Sequence, residues 1–174
     1  GILFNHESPR RGSNFVTNKV AKAAARIKLG LQDKLELGNM DSYRDWGHSY
    51  DYVRAMHLML QHDKPGDWVV STMETHSVRE MCKLVFNHLE LNYQDYVTQN
   101  PKFLRPEELP YLKGDSTKIR TELGWKPTYT FEKMMEEMRI KNSKMRKIFF
   151  IETHFLQIPY QSCYRNRWDE AHCE

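Results

Sequence analysis

Apolar side chains at Phe15, Val16, Val20, Ala23, Ala24, Ile27 and Leu31 recur every three or four residues, the interval at which one face of an α-helix returns. Asn14 stands ahead of them as a candidate cap and Gly30 near their end, so this stretch predicts a helix. A second stripe, Tyr52, Val53, Met56, Met59 and Leu60, predicts another helix with these residues on one face, stopped by Pro65-Gly66. Val78, Met81, Cys82, Val85, Phe86 and Leu89 form a third, entered through Ser77 and Glu80 at the spacing of a capping box. Two more are expected, at Ser116 to Leu123 and from Phe131 to about Lys147, the latter with Phe131, Met134, Met135 and Met138 on one side. Cys82 and these methionines read as core packing rather than as a nucleophile or a cofactor-binding stripe.

Between the helices lie short apolar or alternating runs that predict strands: Ile2 to Phe4, Lys34 to Leu37, and Asp67 to Thr72 ("DWVVST"). Gly38 to Asp45 reads as a turn-rich loop, and Asn100 to Pro110, with three prolines, as irregular. Alternating strands and helices up to about residue 147 predict an α/β fold with a parallel sheet. Three strands are few for such a sheet, and the chain opens on Gly1 inside an apolar run, so the pattern is that of a piece of something longer. Residues 1–147 are expected to form one domain. From 148 to 174 the aromatic, basic and acidic residues follow neither period, and this tail is set apart.

The 174 residues, 40% hydrophobic and 28% charged, suit one folded domain rather than a disordered chain. A formal charge of +3 is too balanced to demand a polyanion, and no aromatic platform interleaved with lysines indicates nucleic acid. No apolar run reaches a membrane-spanning length, and the odd, widely spaced Cys82, Cys163 and Cys173 suggest neither a disulfide framework nor a zinc pair. A cytoplasmic setting without membrane or metal follows as the expectation. His154, Cys163, His172 and Cys173 match no common metal-site spacing.

Candidate chemistry concentrates in polar clusters. His6, Arg10 and Arg11 follow the first strand directly, and ligands bind beyond the carboxyl ends of strands in open α/β sheets. Guanidinium groups give phosphate two planar donors, which makes Arg44 in "YRDWG" and Arg105 in "FLRPEE" candidates of the same kind, with surface salt bridges as the competing reading. Asn5 can hydrogen-bond a sugar or phosphate. Glu108 can accept from two adjacent ribose hydroxyls, or be an ordinary solvated carboxylate. There is no Ser-His-Asp pattern, HExxH helix or phosphate-cradling glycine loop. From the residues alone the chain is a phosphate-binding α/β piece.

The segments "FNHESPRRG", "LGNMDSYRDWGHSYDYVRAMHLMLQ", "HSVREM", "FLRPEELPYLKGDSTK" and "LGWKPTYTFEKMMEEM" resemble, in order and up to about Arg139, the GDP-mannose 4,6-dehydratase family of extended short-chain dehydrogenases/reductases. The resemblance implies the C-terminal part of an extended Rossmann-type fold, with the last strands and helices of the parallel sheet and the small substrate-binding domain. It implies His6 and Arg11 as NADP contacts, and Asn5, Lys19, Arg44, Arg105 and Glu108 as contacts to GDP-mannose. In that family NADP takes a hydride from carbon 4, a glutamate removes the carbon 5 proton, water leaves carbon 6 and the hydride returns there. The product, GDP-4-keto-6-deoxymannose, leads to GDP-fucose. No residue here matches the family's catalytic Thr, Glu, Tyr and Lys or its glycine-rich dinucleotide turn, so the chain alone is expected to be inactive and to contain no catalytic residue. The family forms homo-oligomers. The alternative is a non-catalytic protein that keeps the GDP-sugar pocket. Ser13 and Asn18 depart from the family's usual Glu and Arg, which implies altered contacts around the cofactor loop.

Overall fold

The computed structural model describes residues 1–104 and 106–142. Arg105 and the tail 148–174, with its His154, Cys163, His172 and Cys173, lie outside the described residues.

The chain begins with β1 (Ile2–Leu3) and β2 (Asn5–Glu7), then α1 (Val16–Lys28), β3 (Leu35–Leu37), β4 (Tyr43–Arg44) and β5 (Trp46–His48). It continues through α2 (Ser49–Gln61), β6 (Val69–Val70), β7 (His76–Ser77), α3 (Val78–Asn87), β8 (Val97–Gln99), β9 (Tyr111–Leu112) and α4 (Thr117–Leu123). A last helix, α5, covers 131–142. Parallel pairs join β1 to β6, β2 to β5 and β3 to β8, while β4 runs parallel to β9 and antiparallel to β7. The α/β class and the mainly parallel pairing follow the sequence.

The strands at 5–7, 43–44, 46–48, 76–77, 97–99 and 111–112 were not visible as periodic segments, so Asn5 and His6, expected just after a strand, lie within one. Runs of two or three residues carry no alternation, and their existence depends on partners far along the chain. The stretch Gly38 to Asp45, read as a loop, therefore contains β4.

Two cores form. The larger packs α1 against α3 with β3, β8, Trp46 and the inner face of α5, and includes Cys82, Met134, Met135 and Met138, all essentially inaccessible. Burial pushes the Cys82 thiol up to about 12, as fits an inert core residue. The smaller packs Tyr52, Ala55, Trp68, Val70, Ile119 and Trp125, tying α2 and α4 to the β1–β6 pair through Leu3, Leu58 and Met59.

The helix ends follow local chemistry. Gly30 (φ +66°) lets the Gly30 and Leu31 amides turn back to the carbonyls of Ile27 and Arg26, closing α1. Ser77 accepts from the Glu80 amide at 3.0 Å and Glu80 from the Ser77 amide at 2.9 Å, the capping box expected at α3. At α1 the expectation fails: Phe15, not Asn14, holds the cap position, and no side chain caps it.

The second stripe is not the buried face. Val53, Met56 and Leu60 are exposed, and α2 buries Asp51, Tyr52 and Ala55 instead. The rotation is fixed by polar groups at its first turn. Asp51 accepts from the amides of Thr128 and Tyr129 and from the Thr128 hydroxyl, at 2.8, 3.0 and 2.6 Å. His48 caps the helix by accepting from the Tyr50 amide at Nδ1, which leaves Nε2 to donate to Glu137 at 2.9 Å.

Candidate functional site

Period-two alternation along β2 separates the N-terminal polar cluster into two places. Asn5 lies opposite Trp46 in the parallel register and His6 opposite Gly47, so their side chains leave the strand on opposite faces. Asn5 joins a cavity of about 540 Å³ with Lys19, Ser42, Arg44, Trp46, Phe103 and Glu108 among its lining residues. His6 joins a second cavity of about 380 Å³ with Arg10, Arg11, Tyr52 and Met56. Phe15 lines both.

The first cavity brings Asn5, Lys19, Arg44 and Glu108 together from β2, α1, β4 and the segment before β9. Arg44 NH2 donates to Glu108 Oε1 at 3.2 Å, the Ser42 hydroxyl donates to the same oxygen at 3.2 Å, and Arg44 NH1 holds the Tyr43 carbonyl at 2.7 Å. Both partners of the Arg44–Glu108 pair are partly solvent-accessible, so the pair is open to exchange with an incoming anion. Lys19 Nζ donates to the Glu36 carbonyl at 2.8 Å and stands 4.8 Å from the Phe103 ring centre, a cation over an aromatic face. A cationic and hydroxyl-binding wall facing an aromatic edge suits a phosphorylated nucleoside.

The β3–β8 pair sets the far wall. The Asn100 amide donates to the Leu37 carbonyl at 2.8 Å, and the Gln99 side chain reaches the Gly38 carbonyl at 3.3 Å. Gly38 then passes so close to the chain that a Cβ there would stand 2.3 Å from the Phe103 carbonyl oxygen. Only glycine permits this approach.

Sequence reading missed Ser42, Trp46 and Phe103 as lining groups, although the first two flank Arg44 in the quoted motif. It also missed Asp45, which is fully buried. Its Oδ1 accepts from the Thr72 amide and hydroxyl at 2.8 and 2.7 Å, and its Oδ2 from the amides of Met73 and Gly114 at 3.0 and 3.4 Å. Asp45 therefore fixes the junction between β4, which carries Arg44, and β5, which carries Trp46.

In the second cavity His6 stacks on Tyr52 with ring centres 4.9 Å apart, and its Nδ1 donates to the Phe4 carbonyl at 2.9 Å, leaving Nε2 as acceptor. The Arg11 guanidinium lies 3.4 Å above the Phe15 ring, and its Nε is 3.0 Å from Glu7 Oε2 without the alignment of a hydrogen bond. Burial raises the Glu7 carboxyl above its ordinary value, against the hydrogen bond from Thr17 and the charges of Arg11 and His6. The Tyr52 hydroxyl, also without a partner, is raised by burial and by Asp45, Asp51 and Glu7, and so stays protonated. Asn18 answers the departure noted above: its amide donates to the Arg11 carbonyl and its oxygen accepts from Asn142 at 3.0 Å, while Lys141 donates to the Pro9 carbonyl at 2.7 Å. The Ser8–Gly12 loop is thereby tied to α5.

No helix among the described residues is long and apolar enough to cross a membrane, and no group of three or more His, Cys, Asp or Glu among them is placed to hold a metal ion.

The fold is shared with solved structures of other proteins. RMD from Pseudomonas aeruginosa, solved with NADPH, superposes with a TM-score of 0.75 at 26% identity, over 82% of this chain and 47% of that one. The dTDP-glucose 4,6-dehydratase of Bacillus anthracis, solved with NAD, superposes at a TM-score of 0.70 over 83% of this chain and 44% of that one; at 18% identity it speaks for the fold alone. These neighbours place the chain within an extended Rossmann-type dehydrogenase/reductase fold. GDP-mannose 4,6 dehydratase 1 of Arabidopsis thaliana is 51% identical over 147 residues, 84% of this chain and 41% of the relative. The human GDP-mannose 4,6 dehydratase is 45% identical over 155 residues, 79% of this chain and 42% of that protein. The chain thus spans about two fifths of the length of these relatives. With residues 1–138 also matching the family model for GDP-mannose 4,6 dehydratase, the chain belongs to the GDP-mannose 4,6-dehydratase family.

Proposed function

We propose that this chain is the GDP-mannose-binding part of a GDP-mannose 4,6-dehydratase, serving the conversion of GDP-mannose to GDP-4-keto-6-deoxymannose. The supporting observation is the convergence of Asn5, Lys19, Arg44 and Glu108, spread from residue 5 to residue 108, on one cavity. Arg44, with Arg105, takes the diphosphate; Glu108 accepts from the ribose hydroxyls; Lys19 adds charge beside the GDP part; Asn5 faces the sugar. Arg44 exchanges one oxyanion for another when the diphosphate displaces Glu108, and Glu108 exchanges its guanidinium for the ribose diol. Both groups then keep charge-assisted partners.

His6 and Arg11 contact NADP. The Arg11 guanidinium and the His6 acceptor line one cavity and fit one end of a dinucleotide, and no glycine-rich turn in this sequence supplies a cradle for its pyrophosphate. Bound NADP supplies the hydride acceptor and donor of the reaction. This chain's residues orient the substrate and give neither the base nor the tyrosine, so turnover requires groups from outside it. Residues 1–147 are the functional unit, working in the cytoplasm within a homo-oligomer.

A second reading, a GDP-sugar-binding protein without catalysis, is favoured by the lining of the larger cavity by this chain's own residues. Calorimetry of the folded chain with GDP-mannose, beside an assay for the 4-keto-6-deoxy product, tests both. Binding without turnover is expected, weakened about tenfold to a hundredfold by Arg44→Ala or Arg105→Ala, the effect of losing one charge-assisted hydrogen bond. A folded chain that ignores GDP-mannose, or binds it equally after either substitution, overturns the site. Turnover overturns the claim that outside groups are required.

A further inference from the structure

Arg10 and Arg11 are the one pair of adjacent arginines in the sequence, and Ser13 stands three and two residues after them. From Ser8 to Gln32 there are six lysines and arginines and no acidic residue. The local hydrogen bonds turn Ser13 outward. The Arg10 and Arg11 amides donate to the Ser8 hydroxyl and carbonyl, at 3.1 and 2.9 Å, and the Phe15 amide donates to the Gly12 carbonyl at 3.3 Å. Ser13 and Asn14 therefore form the tip of a turn, and both are exposed, as is Arg10. Other hydroxyls are less available. Thr17 is buried and donates to Glu7 at 2.7 Å, while Thr121, which follows Lys118 and Arg120, donates to the Thr117 carbonyl inside α4 at 3.0 Å. Behind the turn, α1 opens at Phe15 with no side-chain cap and no acidic residue in its first turn, so its positive end favours a nearby anion.

We propose that Ser13 is a phosphorylation site, modified by a protein kinase that selects arginines three and two residues ahead of its target, and that Arg10 and Arg11 then hold the phosphate. Kinases discriminate substrates by such charge patterns. In the transfer the Ser13 hydroxyl oxygen attacks the terminal phosphorus of ATP, and the bond from that phosphorus to the bridging oxygen breaks. ADP leaves with the bridging oxygen, and the hydroxyl proton passes to the kinase's base. Phosphoserine brings a charge of about −1.5 to −2 and three acceptor oxygens, which guanidinium groups match with paired planar donors. Arg11 meets the Phe15 ring with the flat face of its guanidinium, which leaves in-plane donors for an anion. Lys141, bonded to the Pro9 carbonyl at 2.7 Å, adds a third cation beside the loop, while the Glu7 carboxylate is buried against Thr17. Because Arg10 and Arg11 also line the second cavity, a phosphate on Ser13 draws both away from an anion bound there. That consequence rests on the reading of Arg11 as an NADP contact; the modification does not, and its test contains no NADP, so the two can fail separately.

The test incubates the folded 174-residue chain with ATP and the catalytic subunit of cyclic-AMP-dependent protein kinase, and maps the product by peptide mass spectrometry. One phosphate per chain on Ser13 is expected, with none at that position in Ser13→Ala and transfer at least about tenfold slower to Arg10→Gln. Ser13 and Arg10 are exposed, so both variants should keep the circular dichroism of the parent chain. No phosphate on the folded chain, or phosphate on Thr121 in place of Ser13, overturns the site. The second measurement installs phosphoserine at position 13 during translation and titrates it by phosphorus NMR. Its second ionisation should lie at least about half a unit below the ordinary value of about 6, and return toward 6 when Arg10→Gln and Arg11→Gln are combined. An ordinary value in the parent chain, or a lowering that survives both substitutions, overturns the role of the two arginines.

Discussion

Asp45 is inaccessible to solvent, and its two carboxylate oxygens accept from Thr72, Met73 and Gly114, holding two distant segments against the end of the strand that carries Arg44. Asp45→Asn preserves the volume and one acceptor oxygen but turns an amide NH₂ toward donors. If the remaining oxygen serves Thr72, the amides of Met73 and Gly114 lose their acceptor inside the fold. Hydrogen bonds to a charged group contribute about 1.5–3 kcal/mol each, and a stranded buried donor costs about 1–3 kcal/mol. Because the contacts share one carboxylate they do not add fully, and a loss of about 3–5 kcal/mol is expected. With a urea dependence of about 2 kcal/mol per molar, the midpoint should fall by roughly 1.5–2.5 M. Asp41→Asn is the comparison. Asp41 makes a bidentate pair with Arg79 at 2.7 and 2.9 Å, but both partners are exposed, so its loss should cost about 0–1 kcal/mol. A urea shift for Asp45→Asn no larger than that for Asp41→Asn refutes the role assigned to the buried clamp.

Two further outcomes are expected. Gly38→Ala forces a Cβ against the Phe103 carbonyl, so the 99–104 segment must shift at about 1–3 kcal/mol, and GDP-mannose affinity should fall by at least about tenfold in calorimetry; unchanged affinity would mean that this contact does not set the cavity's width. For Glu7, burial raises the folded carboxyl, so the folded state holds the proton more tightly than the unfolded state. Stability from this group is full below the ordinary glutamate range, falls as pH rises toward the raised folded value, and is fully lost above it. The stability of the native chain minus that of Glu7→Gln should therefore decline with rising pH in urea titrations, and a flat or rising difference would contradict the burial effect.

Four of the five helices were legible because each carries a stripe of its own, and the signals at their ends are local: the capping box of Ser77 and Glu80, or Gly30 after α1. Arg44 and Glu108 were legible as chemistry, from residue type, turn position and family motif. The pairing of one with the other was not, because it depends on β4 lying beside β9, which two-residue strands do not announce.

The apolar stripe on α2 shows the same boundary from the other side. Periodicity identifies a helix and an apolar face, but which face is buried was decided by Asp51 bonding to Thr128 and Tyr129, more than seventy residues away. Likewise "NHE" placed a polar cluster after a strand, and only pairing with Trp46-Gly47-His48 sent Asn5 and His6 to different cavities. Sequence by itself determined the family, the helices, the capping box of α3, the glycine end of α1 and the charged groups, since these rest on local spacing and side-chain chemistry. Tertiary structure decided the strand partners, the buried face of α2, the Asp45 clamp and the division into two cavities, since each depends on groups that meet only when distant segments pack.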